Sequence, residues 1–375
     1  DEIIDNFERK ISTNNGKLNV LIEKTIGYTI SEYGDYRYAF KESIEGHNQR
    51  ISRLFGVLFN GFVHRSSFVN QMAFTVIAKD IIANPNLNLN KQAYFYKTVI
   101  KKVMSLMINT DEADDLIFYN NTACLKYIYG FISNYQHEIG EIGLPPNKKI
   151  AFFPGAFDPF TLSHKQIAND IKNLGFEVLL YVDEFSWSKR TQPNLIRRNI
   201  IKKSIASELD VYQFPRDVSI NIANDNDLKT LIEQFPDSSI YLVVGSDVIV
   251  NASAYHEDNM GIIRQIPHIV YERNAPDGTM PLSDILEKRF VRLHPNSLRF
   301  NLPKDYEHIS STLIRDYIDE NRDISTLIEP LAQNYIYEKG LYQREPMFKS
   351  MMMTKSIYLE TLDDISDYLM SELSE

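Results

Sequence analysis

Residues 152–164 read Phe-Phe-Pro-Gly-Ala-Phe-Asp-Pro-Phe-Thr-Leu-Ser-His. Ile150 to Phe153 make a short apolar run suited to a buried parallel strand. Gly155 follows, where the chain can take a backbone conformation closed to other residues. Pro159 ends any regularity, and from His164 the apolar positions Ile167, Ala168, Ile171 and Leu174 fall at helical spacing. Strand, glycine turn and helix N-terminus together form a phosphate-binding geometry. Unpaired backbone N–H groups and the helix dipole both favour an anion there, and a histidine in the first turn can donate a hydrogen bond to the same phosphate.

From Lys149 onward, strands alternate with helical patterns. Strand candidates are 149–153, 176–182, 210–214, 240–244 and 267–271. This rhythm predicts an α/β fold, a Rossmann-like doubly wound parallel sheet, with ligands outside the carboxyl ends of its strands. The first motif, Asp183 to Lys189, and Gly245 to Asp247 all follow strands at that end. Downstream, residues 309–315 read Ile-Ser-Ser-Thr-Leu-Ile-Arg, a second helix start. Ser310 or Ser311 serves as N-cap, Thr312 as a first-turn hydroxyl, and Arg315 stands one turn on. Hydroxyls, backbone donors and an arginine make a fork for triphosphate oxygens.

Taken in order, these elements resemble the nucleotidyltransferase (cytidylyltransferase-like) superfamily. The first has the form G-x-F-D-P-x-(H/T)-x-x-H, ending on Thr161 and His164, and the last has the form I-S-S-T-x-I-R. Within the superfamily, residues 149–342 are most similar to bacterial nicotinate mononucleotide adenylyltransferase. The ending Leu327-Ile-Glu-Pro-Leu-Ala-Gln-Asn-Tyr-Ile-Tyr-Glu-Lys-Gly-Leu-Tyr342 and the late strand Tyr271-Glu-Arg273 both look like that family's. The resemblance implies adenylyl transfer from ATP to nicotinate or nicotinamide mononucleotide, releasing pyrophosphate, in NAD synthesis. Mg²⁺ would be held mainly by ATP phosphates, with no protein metal ligands.

The resemblance also implies roles. His164 would donate to the triphosphate in the transition state, with Thr161 and Arg315 as its catalytic companions. Gly155, Ala156 and Phe157 would offer backbone groups to the nucleotide, while Ser311, Thr312 and Arg315 would contact the β- and γ-phosphates. Asp247 would accept from the ribose, with Gly245 allowing close approach. Lys189 matches a family lysine, shared in alignment with Arg190. Arg197 and Arg198 stand at the next helix start, where a solvated face is an equal reading. Trp187, Tyr255 and Arg273 fall on the acceptor side, and Asp158 reads as a turn-former.

Of three departures, the first touches the turn before His164 and the other two the acceptor side. Ser163 replaces a family glycine, Tyr255 stands where a tryptophan stacks on the pyridine, and Ile222–Leu228 replaces a Tyr-Thr-x-x-Thr-Leu stretch. Two alternatives follow: another phosphorylated acceptor, such as phosphopantetheine, or a non-catalytic nucleotide-binding or scaffold module of a larger protein.

The chain has 375 residues, 43% hydrophobic and 24% charged, enough for two domains with real cores. A net charge of -10 argues against broad nucleic-acid binding. The one cysteine, Cys124, excludes an intrachain disulfide and fits a cytoplasmic protein. No apolar run reaches the length of a membrane span, and the start at Asp1 points to further domains of the same polypeptide. Residues 1–143 hold a single proline, Pro85, and read as a helical domain of unknown function. Its apolar faces are Ile51–Phe62, Val69–Val76 and Phe95–Leu106. His47, His64 and His137 are isolated and read as structural. Residues 144–148 form a linker, 149–343 the nucleotidyltransferase domain, expected to fold and bind ATP alone, and 344–375 a helical extension.

Overall fold

The computed structural model describes residues 1–13, 15–36, 43–108, 115–144, 147–183, 191–255, 261–272 and 282–343. The first part is helical: α1 (Glu2–Ile11), α2 (Gly16–Tyr36), α3 (Ile44–Phe62), α4 (Ser67–Thr75), α5 (Leu89–Ile108) and α6 (Asp115–Glu138). Ser43 caps α3 by accepting the Gly46 N–H at 3.0 Å. The stripe expected to end at Val76 continues from α4 into a π-helical turn, Val76–Ile82, that buries Val76, Ile77, Ala78, Ile81 and Ile82. Phe55, Phe59, Phe74, Val99 and Val103 fill the bundle core. His64 is buried, its Nδ1 accepting the Ser66 N–H at 3.0 Å, and burial lowers its pKa.

The second part is a six-stranded parallel sheet of order β3-β2-β1-β4-β5-β6. The strands are β1 (Lys149–Gly155), β2 (Glu177–Val182), β3 (Val211–Gln213), β4 (Ser239–Gly245), β5 (His268–Glu272) and β6 (Leu298–Asn301). Its helices are α7 (Leu162–Asn173), α8 (Asn194–Ile205), α9 (Asp225–Glu233), α10 (Ser246–Asn251), α11 (Leu282–Phe290), α12 (Lys304–Glu307), α13 (Ser311–Asp319) and α14 (Pro330–Glu338). Alternation within strands feeds two cores. Ala151, Phe153, Leu180, Val243 and Ile269 face one; Phe152, Leu179, Leu242, Val244 and Val270 face the other. The sixth strand was not foreseen: Leu298–Asn301 is a largely exposed edge without an apolar run. The third is shorter than 210–214, because Asp210 sits at φ 60° and bends the chain ahead of it.

The sequence reads the two parts as separable, yet their packing joins them. Ala206 and Leu331 are buried in the core of the helical bundle. Lys203 Nζ donates to Val63 O at 2.8 Å, and Asn334 Nδ2 donates to Ser12 O at 3.3 Å. Excised 149–343 would expose Ala206 and Leu331 to water. We therefore expect that fragment to unfold at a clearly lower temperature than the full chain; matched thermal melts on the two proteins check this. The double proline at 145–146 and the extension 344–375 lie outside the described residues.

Candidate active site

Adjacent β1 and β4 mark the point where the winding of the sheet reverses. From β1 the chain runs through α7, whose Ile167, Ala168 and Ile171 pack on one core. From β4 it runs through α10, whose Ile249 packs on the other. The two connections leave on opposite faces, so a crevice opens at the carboxyl ends between these strands.

The first motif occupies one wall. Thr161 caps α7 in a reciprocal box: its Oγ1 accepts the His164 N–H at 3.2 Å, and His164 Nδ1 accepts the Thr161 N–H at 3.1 Å. Accepting that bond leaves Nδ1 unprotonated, so the neutral ring carries its proton on Nε2. The imidazole lies edge-on to Phe157, with centroids 5.2 Å apart, and beside Phe160 at 5.4 Å. The left-handed residue of this turn is Phe157, at φ 46°, and not Gly155. Gly155 is required for space instead: a Cβ there would stand 2.8 Å from the Phe157 ring.

The second helix start is bonded to the same loop. Ser310 is the N-cap of α13, accepting the Leu313 N–H at 3.1 Å. Ser311 Oγ therefore has another task, donating to Pro159 O at 2.8 Å. Arg315 donates to Asp158 O and, at 3.0 Å, to Thr312 Oγ1. Thr161, His164, Ser311, Thr312 and Arg315 thus gather around residues 156–160. Asp158 is buried beneath them, accepting the Gln192 N–H at 3.2 Å and the Tyr342 hydroxyl at 2.8 Å. Burial, and after it the Asp158 charge, raise the Tyr342 pKa, so the phenol stays protonated as the donor.

Arg197 and Arg198 are both buried, so the solvated-face reading is corrected. Arg197 Nη1 donates to Ala156 O at 2.7 Å and to Asp183 O at 3.2 Å, and its Nε donates to Gln192 O at 2.8 Å. Arg198 donates to Phe214 O at 3.0 Å. Tyr342 and Arg197 are the supports that motif reading missed. The Leu-Tyr ending was visible in sequence without its partner, and the two adjacent arginines do not say which faces the loop.

The opposite wall is β4 running into α10. A Cβ on Gly245 would lie 2.3 Å from Asp247 Oδ1, so the glycine makes room for this carboxylate, which is exposed at the helix start. Tyr255 is not on the wall at all. It is 1% exposed, in the core on the far face of the sheet. Its hydroxyl donates to His268 Nε2 at 3.0 Å, because His268 Nδ1 gives its proton to Ile266 O at 2.8 Å. Burial lowers the His268 pKa to about 4, which keeps the ring neutral. An aromatic ring so enclosed cannot stack on a ligand, which corrects its placement on the acceptor side. Lys189, Trp187 and Arg273 lie outside the described residues. Among the described residues, no group of three or more His, Cys, Asp or Glu side chains is placed to hold a metal ion, and no helix is long and apolar enough to cross a membrane.

A separate cavity of about 820 Å³ lies between α7 and the bundle, lined by Lys165, Lys172, Glu208 and Glu329 together with Arg53 and Lys101 of the bundle. Its inner charges neutralise one another: Lys165 pairs with Glu208 at 3.0 Å and Glu329 at 2.8 Å, and Lys172 with Glu208 at 2.7 Å. Their attraction outweighs burial and holds the Glu208 pKa down to about 2.

Residues 152–317 match the cytidylyltransferase-like family model. A probable nicotinate-nucleotide adenylyltransferase of Clostridium perfringens is 26% identical over 210 residues, which are 53% of this chain and 100% of that protein. A protein of the same description from Staphylococcus saprophyticus is 22% identical over 203 residues, 52% of this chain and 98% of its own length. Among solved structures, Plasmodium falciparum nicotinic acid mononucleotide adenylyltransferase complexed with NaAD is 23% identical with a TM-score of 0.42, covering 52% of this chain and 97% of that one.

Proposed function

We propose that this chain, a member of the cytidylyltransferase-like nucleotidyltransferase superfamily through residues 152–317, transfers the adenylyl group of ATP to nicotinate or nicotinamide mononucleotide. The observation that carries this reading is the meeting of two helix starts on one loop at the switch point, with His164 Nδ1 held by the Thr161 N–H at 3.1 Å. An oxygen of the acceptor phosphate attacks the α-phosphorus in line. The bond from that phosphorus to the α,β-bridging oxygen breaks, and pyrophosphate leaves with the electron pair. A phosphate monoester is already an anionic nucleophile, so the protein's task is positioning and neutralising charge on the leaving group. His164 Nε2–H, the Ser311 and Thr312 amides at the start of α13, and the remaining N–H groups of Arg315 suit that task. Mg²⁺ would arrive on the ATP phosphates and keep several waters, which asks for no carboxylate cluster in the protein.

The acceptor rests on the relatives' names and on the family-like ending. The decisive experiment is ATP-dependent pyrophosphate release with nicotinate mononucleotide, nicotinamide mononucleotide and phosphopantetheine. Turnover is expected with a pyridine mononucleotide. Release with phosphopantetheine alone would transfer the reaction to the second reading, which the burial of Tyr255 favours. Failure with every acceptor, despite ATP binding, would leave a non-catalytic nucleotide-binding module.

A further inference from the structure

We propose that Lys102, on α5 of the helical half, is a positioning residue for the nucleotide site, acting through α8 on the loop 156–160. The inference rests on reading the switch-point crevice as that site. Lys102 is 0% exposed, a rare place for a lysine. Its Nζ donates at 2.7 Å to Ile205 O, the last residue of α8, and at 2.7 Å to Val211 O, the first residue of β3. The Tyr212 ring centroid lies 5.5 Å away. A lysine with these partners closes the α8–β3 turn, and its charge complements the negative end of the α8 dipole. Burial lowers its pKa to about 7, the cost of a cation whose bonds here go to two neutral carbonyls.

The turn it closes is gripped by the bundle from several sides. A Cβ on Gly56 of α3 would lie 3.0 Å from Ser207 O, so backbone meets backbone there. Ala206 is enclosed in the bundle core, and Lys203 donates to Val63 O. One end of α8 is therefore fixed by the helical half. The helix is a rod of 12 residues, roughly 18 Å long. At its other end Arg197 holds Ala156 O at 2.7 Å and Asp183 O at 3.2 Å. Ala156 immediately precedes Phe157, whose left-handed backbone and ring set the edge on which His164 rests. An error in the axial position of α8 passes directly into the loop, because one side chain on that helix holds both the Ala156 carbonyl of the loop and the Asp183 carbonyl just beyond β2. The helical half thereby becomes a working part of the transferase.

The test is Lys102→Met in the full chain, read by hydrogen–deuterium exchange and by turnover. Exchange of the peptide spanning 155–162 should accelerate about tenfold, with the remainder of the bundle unchanged. Turnover should fall by about tenfold. Arg197→Met should accelerate the same peptide, and the double variant should go no further than Arg197→Met alone, because both act along one route. Acceleration confined to 200–212, or two effects that multiply, would reduce Lys102 to glue between the halves and overturn the proposal. Should Lys102→Met not fold, Gly56→Ala presses on the same turn more gently and is held to the same exchange criterion; a folded Gly56→Ala protein with 155–162 unchanged also overturns it. If the wild-type protein turns over no acceptor, the proposed function fails while the exchange arms still decide the link.

Discussion

His164→Ala is expected to lower turnover by about 10²–10³, a loss of about 2.7–4 kcal/mol, with a much smaller change in ATP affinity. Such a split marks a donor used chiefly in the transition state, when charge builds on the departing pyrophosphate. The residue has a second task, because its Nδ1 caps α7 through the Thr161 N–H at 3.1 Å. Losing that acceptor costs roughly 1 kcal/mol of stability. His164→Gln separates the two tasks. A glutamine at the third helical position closes the same box with its side-chain oxygen, so stability should return while turnover should not. Steady-state kinetics and thermal melts on both variants are the measurement. Retention of more than half the activity by a folded His164→Ala protein would remove His164 from the chemistry.

The residues that form this site differ in how far their sequence gives them away. Apolar runs with helical stretches between them specify a parallel sheet, since only strands buried on both faces read so evenly. The start of α13 follows from the serines preceding its periodic apolar positions, whereas α7 begins two residues ahead of His164, where its spacing becomes legible, with Thr161 as its cap. What joins them is not local. Ser311 reaches Pro159 O across a sequence separation of 152 residues, and Tyr342 reaches Asp158 across 184. No spacing rule foretells such bonds. Gly155 and Gly245 show the same limit. Their need was legible, but its cause lies in side chains two residues on, the ring of Phe157 and the carboxylate of Asp247. Tyr255 was misplaced because alignment fixes a position along the chain and not the face of the sheet it enters. The part played by α5 was hidden altogether, for a lysine in an amphipathic helix reads as surface until a second domain is packed upon it.

A second large effect is expected far from the crevice, at Glu23. This side chain is 0% exposed on α2, and among the described residues neither carboxyl oxygen has a hydrogen-bond partner. It fits where α2 crosses α3 at Gly61, since a Cβ at that glycine would lie 2.1 Å from Glu23 Oε1. Burial alone pushes its pKa up to about 9, from an ordinary value of 4.5. The folded protein therefore keeps this proton while the unfolded chain releases it above pH 4.5. The unfolded state then binds fewer protons, so this residue makes stability fall as pH rises from about 4.5 to about 9, by about 1.4 kcal/mol per pH unit.

Glu23→Gln, neutral in both states and nearly the same shape, is expected to be the more stable protein at pH 7, by roughly 3 kcal/mol. Below pH 4.5 the two proteins should be equal, apart from a constant offset of the amide for the acid. The difference between variant and wild type is the informative quantity. Lys102 titrates in the opposite sense, adding stability as pH rises above about 7 towards the ordinary lysine range, and subtraction removes it. Urea unfolding of both proteins at pH 5, 6, 7 and 8 gives that difference directly. A gap that widens with each step confirms a protonated carboxyl inside the bundle. A gap that stays constant would mean that Glu23 is ionised in the folded protein, with a partner or an opening to water in that core.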